Sequence, residues 1–335
     1  MTSRELVYQT LNKQCPKRMP RQLWPLPWAK EHYPQRYEQI KQKYPDDIVG
    51  PDVCYFKPPV VKGDMFKVGI YVDEWGCVWE NEQAGIVGQI KDPIIKSWDD
   101  LKNIRLPNEL LGVDVESVNA FCRKSDKFVL GGACPRPFER LQFLRGSENL
   151  LMDLALKEDG LFELFKIVHQ FNVKELQAWT KTNVDALWFM DDWGSQRALL
   201  ISPQSWRKYF KPLYKEYIDI AHNSGKKAFM HSDGYIFDIL PDLIEIGLDA
   251  INSQIFCMDI KKLGSLFKGK ITFWGEIDRQ QIIPYGSRQD VVNAVKLVKD
   301  CLYDNGSVIA QCEFGAEANP DNVEAVFETW DSFSA

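Results

Sequence analysis

The sequence predicts an α/β fold in which eight short parallel strands alternate with helices and close into a (β/α)8 (TIM) barrel. Two observations predict it: short, almost wholly apolar runs recur along the chain, and helical patterns fill the intervals between them. Strands that are apolar at nearly every position are typical of a parallel sheet buried on both faces. Since 335 residues suit one barrel, and the sequence has no internal repeat or long linker, we expect a single domain over 1–335.

Eight runs qualify as strands of this sheet. In chain order they cover residues 22–24, 47–49, 128–131, 186–190, 227–230, 250–253, 271–274 and 308–311.

Helical patterns separate the later strands. Ser147 is the expected N-cap of one helix, and apolar spacing over 161–179 predicts the next. A longer helix is expected over 202–225, with a break at Pro212 because proline cannot complete the helical hydrogen-bond pattern. The remaining helices are predicted at 235–246, 288–303 and 322–330.

The segment 55–107 interrupts this alternation. Its run VGIYVDEWGCVWENEQAGIVGQI places alternating apolar and polar residues between glycines, as in hairpins. We therefore predict a β-rich insertion between the second and third barrel strands, standing over one mouth of the barrel. Active sites of such barrels lie at the carboxyl ends of the strands.

Composition and charge exclude several classes of protein. A formal charge of −6 argues against nucleic acid as the main partner, and no run reaches the roughly 20 apolar residues of a membrane span. The first residues lack the apolar centre of a signal peptide, and the eight scattered cysteines form no CxxC pair. We therefore expect reduced thiols and a cytoplasmic location.

Reactive side chains follow four of the predicted strands. They are Asp191, Asp192 and Trp193 after the fourth strand, His231 and Asp233 after the fifth, Glu276 after the seventh, and Cys312 and Glu313 after the eighth. Burying such groups is costly unless they are paired, solvated or bound to metal, although some could simply cap the following helix.

The pattern favours a metal site. His231 and Asp233 are two residues apart in an extended chain, so both side chains can point to the same side. With Cys312 they would give three ligands and an open fourth position, as in catalytic zinc sites, and N, O and S donors together suit zinc. A buried histidine satisfied by hydrogen bonds is the alternative.

Other residues at the strand ends are candidates for catalysis or substrate binding. Asp191 and Asp192 could bind a substrate hydroxyl, and Glu276 could be a fourth ligand, a base that orients His231, or an ion-pair partner. The indoles of Trp24, Trp75 and Trp193 would suit a flat ligand, with core packing as the alternative, and Arg197 is a candidate pocket arginine.

Several runs resemble the uroporphyrinogen decarboxylase superfamily over most of the chain. They are ALWFMDDWGSQRALLISPQSWRKYF, the strand end HSDG, ITFWGEID, CEFGAEANPDNVEAV and LGGACPRPFERLQFLRG. The resemblance implies the (β/α)8 barrel and, at Asp192, a polar residue that faces the pocket.

True decarboxylases of that family carry an arginine-rich signature resembling RQAGRY. The matching region here, MPRQLWPLPWAKEHYPQRYEQI, contains Arg21 and Arg36 but not that motif. The sequence is more similar to the cobamide-dependent methyltransferase branch, in which zinc is bound by an H-x-C strand end and a later cysteine. This implies zinc at His231 and Cys312, with Asp233 in place of the middle cysteine.

A carboxylate in place of a thiolate leaves zinc a stronger Lewis acid. We therefore predict transfer of a methyl group between oxygen or nitrogen of a small methoxylated or methylated compound and a partner corrinoid protein. The first alternative is a metal-independent decarboxylase or lyase that acts on a small carboxylated substrate through Asp192, His231, Arg136 and Arg197. The second is a non-enzymatic barrel that binds a substrate or takes part in the assembly of subunits. The resemblance also implies a possible homodimer.

Overall fold

The computed structural model describes residues 1–333. Its eleven described strands are β1 (Arg21–Pro25), β2 (Ile48–Val49), β3 (Gly69–Val72), β4 (Val78–Asn81), β5 (Gln89–Ile90), β6 (Phe128–Val129), β7 (Ala186–Met190), β8 (Lys227–Ser232), β9 (Ala250–Ser253), β10 (Thr272–Trp274) and β11 (Val308–Phe314).

The centre of the fold is a curled parallel sheet of six strands in the order β1-β11-β10-β9-β8-β7. A second parallel sheet consists of β2 and β6. A parallel bridge between Leu130 and Ala186 brings the end of β6 beside β7. At the opposite end, the N–H of Asp47 donates to the carbonyl oxygen of Arg21 at 2.9 Å. The chain therefore has an α/β fold with the predicted parallel strands in place.

Strands β8 and β11 each extend at least two residues beyond their predicted carboxyl ends. His231 and Ser232 continue to pair with Asn252 and Ser253 of β9, so β8 includes the histidine. Strand β11 continues to Phe314, which pairs with Pro25 of β1, and Cys312 pairs with Leu23. His231 and Cys312 therefore lie within strands, where alternation decides which way each side chain points.

Fourteen α-helices within residues 1–333 connect and cover the sheets. They are α1 (Ser3–Leu11), α2 (Pro27–His32), α3 (Pro34–Lys43), α4 (Val115–Lys124), α5 (Pro137–Arg145), α6 (Ser147–Leu156), α7 (Asp159–Trp179), α8 (Pro203–Tyr209), α9 (Lys211–Asn223), α10 (Leu240–Glu245), α11 (Ile260–Phe267), α12 (Ile282–Tyr285), α13 (Arg288–Leu302) and α14 (Pro320–Asp331). Short 3₁₀ helices cover Trp98–Asn103, Asn108–Leu111 and Ile255–Cys257.

The helix boundaries correct one prediction and confirm another. Ser147 is not an N-cap: Gly146, at φ 83°, is the one residue between α5 and α6, and Ser147 is already helical. The predicted break at Pro212 is confirmed, since α8 and α9 are separated at Phe210 and the proline lies in the first turn of α9. A proline is tolerated there because that N–H has no helical partner.

The insertion contains an antiparallel sheet in the order β3-β4-β5, as the alternation predicted. Asp73 accepts hydrogen bonds from the N–H groups of Trp75 (3.0 Å) and Cys77 (2.8 Å) and pairs with Arg140 of α5 at 2.7 Å. At its other end, Gly85 packs so closely on Trp28, which follows β1, that an added Cβ would lie 2.8 Å from the tryptophan Cβ. The small sheet therefore reaches the segments that follow both β1 and β6.

Alternate residues of the parallel strands belong to different hydrophobic clusters. The inner face is formed by Ala186, Phe229, Ala250, Trp274 and Ile309, which pack on one another. Residues such as Leu187, Met230 and Cys312 belong instead to the large cluster that contains the buried helix residues. No helix within residues 1–333 is long and apolar enough to cross a membrane.

Candidate active site

His231 lies on the inner face of β8, two residues after Phe229, and its side chain is buried. Its Nδ1 lies 2.6 Å from Oδ1 of Asn252 on the neighbouring strand. Asn252 donates its amide N–H to the carbonyl oxygen of Trp274, so its Oδ1 faces the ring and can only accept. Nδ1 is therefore the donor in this contact, and Nε2 is the ring nitrogen that remains for other partners.

Two carboxylates face that nitrogen. Nε2 of His231 lies 3.6 Å from Oδ1 of Asp192 and 3.4 Å from Oδ1 of Asp233. All three donor atoms lie within 4.8 Å of one another. Two ligands that are each roughly 2.0–2.1 Å from a tetrahedral zinc are about 3.3–3.4 Å apart, so this spacing fits such an ion. The structure thus brings together two predicted ligands and Asp192, which the sequence had suggested for catalysis.

Asp233 supports the fit in a second way. Its Oδ1 is buried and has no hydrogen-bond partner within residues 1–333. A buried carboxylate oxygen without a partner is costly, and a cation would satisfy it. Asp192 also accepts a hydrogen bond from the N–H of Asp233 at 2.9 Å, which fixes the two carboxylates relative to each other.

Cys312, the third predicted metal ligand, is not in this group of donors. Inner positions of β11 follow Ile309 at intervals of two, which places Gln311 and Glu313 inside and Cys312 on the helix-covered face. Its thiol is fully buried, and burial raises the pKa of the Cys312 thiol well above its usual range. Because successive side chains of a strand point to opposite faces, Cys312 points away from the inner face, whereas its neighbours Gln311 and Glu313 point toward it.

Arg279, in the segment after β10, connects the remaining acids. It donates to Oδ2 of Asp233 and, at 2.6 Å, to Oε2 of Glu313. Its Nε lies 3.7 Å from Oε1 of Glu276. Burial raises the pKa of Glu276 to about 8, so this carboxyl is mostly protonated near neutral pH. The structure places Glu276 beside the arginine. Glu276 is not part of the donor group, the name used below for Asp192, His231 and Asp233.

Glu139 is a site residue that the sequence reasoning missed. It lies in the first turn of α5, is 8% exposed, and its Oε2 has no hydrogen-bond partner within residues 1–333. Burial raises its pKa to about 7, and the charges of Asp192 and His231 act on it, as does Arg136, whose Nη1 lies 3.8 Å away. The signal was the glutamate of PRPFER, just after the third predicted strand.

Asp191 has a different environment from Asp192. It is fully buried and accepts hydrogen bonds from the N–H groups of Phe138 (2.8 Å) and Glu139 (2.7 Å) at the start of α5, and from the hydroxyl of Tyr214. Its side chain therefore joins β7 to two helices. The structure does not place it in the group formed by Asp192, His231 and Asp233.

Of the candidate substrate-binding residues, Trp24 lies beside the histidine. Its ring centroid is 5.4 Å from that of His231 and 5.0 Å from that of Trp274. Arg197 is exposed in the turn after β7, between Gly194 and Leu199, which form an antiparallel bridge.

The other two tryptophans are buried in the helix-covered core. Trp193 stacks on Phe138 at 4.3 Å and donates its indole N–H to Tyr214. Trp75 packs against Phe171 at 5.0 Å and under the guanidinium of Arg140. Both positions are those of packing residues, which was the alternative for the tryptophans.

The chain matches no curated protein sequence. Its fold is similar to that of a methyltransferase from Methanosarcina mazei, with 16% identity, a TM-score of 0.69 and 100% of each chain covered. A B12-independent methionine synthase from Shewanella sp. W3-18-1 is more distant, with 11% identity, a TM-score of 0.47 and coverage of 95% of this chain and 97% of the other.

The sequence model of the uroporphyrinogen decarboxylase (URO-D) family matches residues 71–333. That range includes the insertion sheet and every residue of the group formed by Asp192, His231 and Asp233, and it confirms the resemblance seen in the sequence. The chain belongs to the uroporphyrinogen decarboxylase family.

Proposed function

We propose that this protein is a methyltransferase that moves a methyl group between a small methoxylated or methylated compound and a corrinoid protein, with zinc held by Asp192, His231 and Asp233. The observation that carries the proposal is the convergence of one imidazole nitrogen and two carboxylate oxygens at the carboxyl ends of β7 and β8. One nitrogen and two oxygen donors leave room for a substrate atom as a further ligand.

The metal would supply Lewis-acid polarisation of the oxygen or nitrogen that carries the methyl group. Asn252 keeps the proton of His231 on Nδ1 and so presents Nε2 to that group. The side chain of Asp192 is 40% exposed, so the donors are open to a ligand that enters from solvent. Trp24 offers an aromatic surface beside them.

Glu139 supports group transfer from a heteroatom. Burial raises the pKa of its carboxyl toward neutrality, the charges of Asp192 and His231 act on it, and its Oε2 has no hydrogen-bond partner within residues 1–333. A group with a pKa near the working pH is suited to donate a proton and to take it back. We propose that it exchanges a proton with the oxygen or nitrogen that is left when the methyl group departs.

The arginines of the amino-terminal region support the methyltransferase branch. Arg21 pairs with Asp331 at 3.0 Å, and Arg36 pairs with Asp321 and Glu324 at 2.7 Å. Both side chains are therefore engaged by α14. They do not offer free guanidinium groups to the carboxylates of a porphyrinogen.

A second candidate is a metal-independent lyase that acts on a small carboxylated substrate. Arg136 favours it, because its side chain is 35% exposed beside Glu139 and its contact of 3.8 Å with that acid is a loose one. The arginine could bind a substrate carboxylate while Glu139 transfers a proton. Metal content separates the two candidates.

The first experiment measures zinc in the purified protein, in a His231→Ala variant and in a His169→Ala control. His169 lies on α7 and contacts Glu216 and Tyr217, away from the donor group. We expect about one zinc per chain in the native protein and the control, and loss of it in His231→Ala. The metal-loaded protein is then given methoxylated and methylamine donors with cob(I)alamin. Absence of metal from all three folded proteins would overturn the proposal in favour of the lyase.

We further propose that the eight parallel strands close into one (β/α)8 barrel and that residues 1–335 form one domain. Two contacts support closure: the bridge between Leu130 and Ala186, and the hydrogen bond from Asp47 to Arg21. The corrinoid partner would then approach the end of the barrel at which Asp192 is exposed. Assembly as a homodimer is part of the same proposal.

A further inference from the structure

One guanidinium group holds three carboxyl groups at the edge of the donor group. Arg279 contacts Asp233, Glu276 and Glu313, and its side chain is 19% exposed. The three acids come from different elements: the first follows β8, the second follows β10, and the third lies on β11. The contacts therefore depend on how the sheet is assembled.

Carboxylate oxygens are the ligands that hard divalent cations such as Mn²⁺ or Ca²⁺ prefer, and three carboxyl groups surround Arg279 here. Here the cation is the guanidinium, which has five donors in a rigid planar arrangement and stays charged. Its positive charge offsets part of the negative charge of Asp233 and Glu313, and its N–H groups lie between the three acids. A metal ion cannot enter that space without displacing Arg279.

The arginine also determines how Asp233 faces the histidine. Oδ2 of Asp233 is bonded to Arg279, while Oδ1 lies 3.4 Å from Nε2 of His231 and is otherwise without a partner within residues 1–333. When one oxygen of a carboxylate is hydrogen-bonded, the other oxygen alone is available to bind a metal ion. Removing the guanidinium would free both oxygens and allow the side chain to rotate.

We propose that Arg279 is a positioning residue that determines which cation this site accepts. It presents one oxygen of Asp233 to the group formed with His231 and Asp192, and it keeps hard divalent cations out of the space among Asp233, Glu276 and Glu313. The proposal rests on the metal site of the proposed function and not on the transfer of a methyl group.

The test compares the native chain with Arg279→Gln, Arg279→Lys and Arg288→Gln. Arg288 is the matched control, because its pair with Glu328 is a surface contact with the two side chains 61% and 49% exposed. Zinc affinity is measured by competition with a chromophoric chelator, and Mn²⁺ binding by electron paramagnetic resonance. Thermal unfolding establishes that each variant is folded.

Arg279→Gln is expected to bind zinc about 10- to 100-fold more weakly, as for loss of other groups that orient a metal ligand, and to gain a Mn²⁺ site. Arg279→Lys, which keeps the charge but not the planar group, should gain no Mn²⁺ site and lose part of the zinc affinity. If Arg279→Gln does not fold, loss of zinc affinity in folded Arg279→Lys carries the test.

The proposal would be overturned if folded Arg279→Gln bound zinc as tightly as the native chain and gained no Mn²⁺ site. It would also be overturned if the native chain bound no zinc. Equal changes in the Arg288→Gln control would overturn it as well. A native chain that binds zinc but transfers no methyl group would instead overturn the proposed function and leave the role of Arg279 in place.

Discussion

Replacing Glu175 by glutamine should stabilise the protein, and more strongly as the pH rises. Glu175 lies in α7 and is 6% exposed. Burial, together with the nearby Glu74 carboxylate, raises its pKa from 4.5 to about 8. The folded protein therefore holds a proton on Glu175 over a range of pH in which the unfolded chain has lost it.

The direction and size of the effect follow from this pKa. Because the folded state binds the extra proton, the contribution of Glu175 to stability is fully present below about pH 4.5 and is lost as the pH rises to about 8. The difference between the two pKa values corresponds to about 5 kcal/mol of unfolding free energy at 1.36 kcal/mol per unit. Glutamine has a similar shape and does not ionise, so the variant does not become less stable at this position as the pH rises.

Urea unfolding at about pH 5 and about pH 9 measures the effect. We expect Glu175→Gln to be within about 1 kcal/mol of the native protein at the lower pH and about 4–5 kcal/mol more stable at the higher one. Glu163→Gln, an exposed position on the same helix, is the control and should change little. A gain that is the same at both pH values, or no gain at all, would refute the reasoning.

Two further predictions concern the donor group. Cys312→Ala should leave zinc content unchanged, because the thiol lies on the helix-covered face, whereas Asp192→Asn should reduce it; loss of zinc from the cysteine variant alone would contradict the assignment of ligands. Asn252→Leu should weaken zinc binding by about 10- to 100-fold, since it removes the acceptor that keeps the His231 proton on Nδ1, and the same chelator competition measures it. Unchanged zinc affinity in folded Asn252→Leu would contradict that role.

Much of the fold could be predicted because its causes are local. Short apolar runs mark strands buried on both faces, and Pro212 cannot occupy the interior of a helix, so the chain begins a new helix there. For the same reason, the alternation of apolar and polar residues over 69–90 predicted the hairpins of the insertion. His231 was a candidate ligand because it follows an apolar strand and lies two residues before Asp233, so that both side chains can point to the same side.

The composition of the site depended on tertiary structure. Whether Cys312 or its neighbour Glu313 faces inward is set by the register of β11 against β1, and a change of one residue exchanges the two faces. Asp192 joins His231 and Asp233 only because β7 pairs with β8.

The sequence by itself predicted the element order, the family resemblance and the choice of His231 and Asp233 as candidate ligands. Only the tertiary structure decided that Asp192 lies beside His231 and Asp233, that the charges of Asp192 and His231 act on Glu139, and that Arg279 contacts three acids. The physical reason is distance along the chain: Arg279 is 46 residues from Asp233 and 34 from Glu313. Contacts of that kind are created by strand order and register, which no local pattern of residues records.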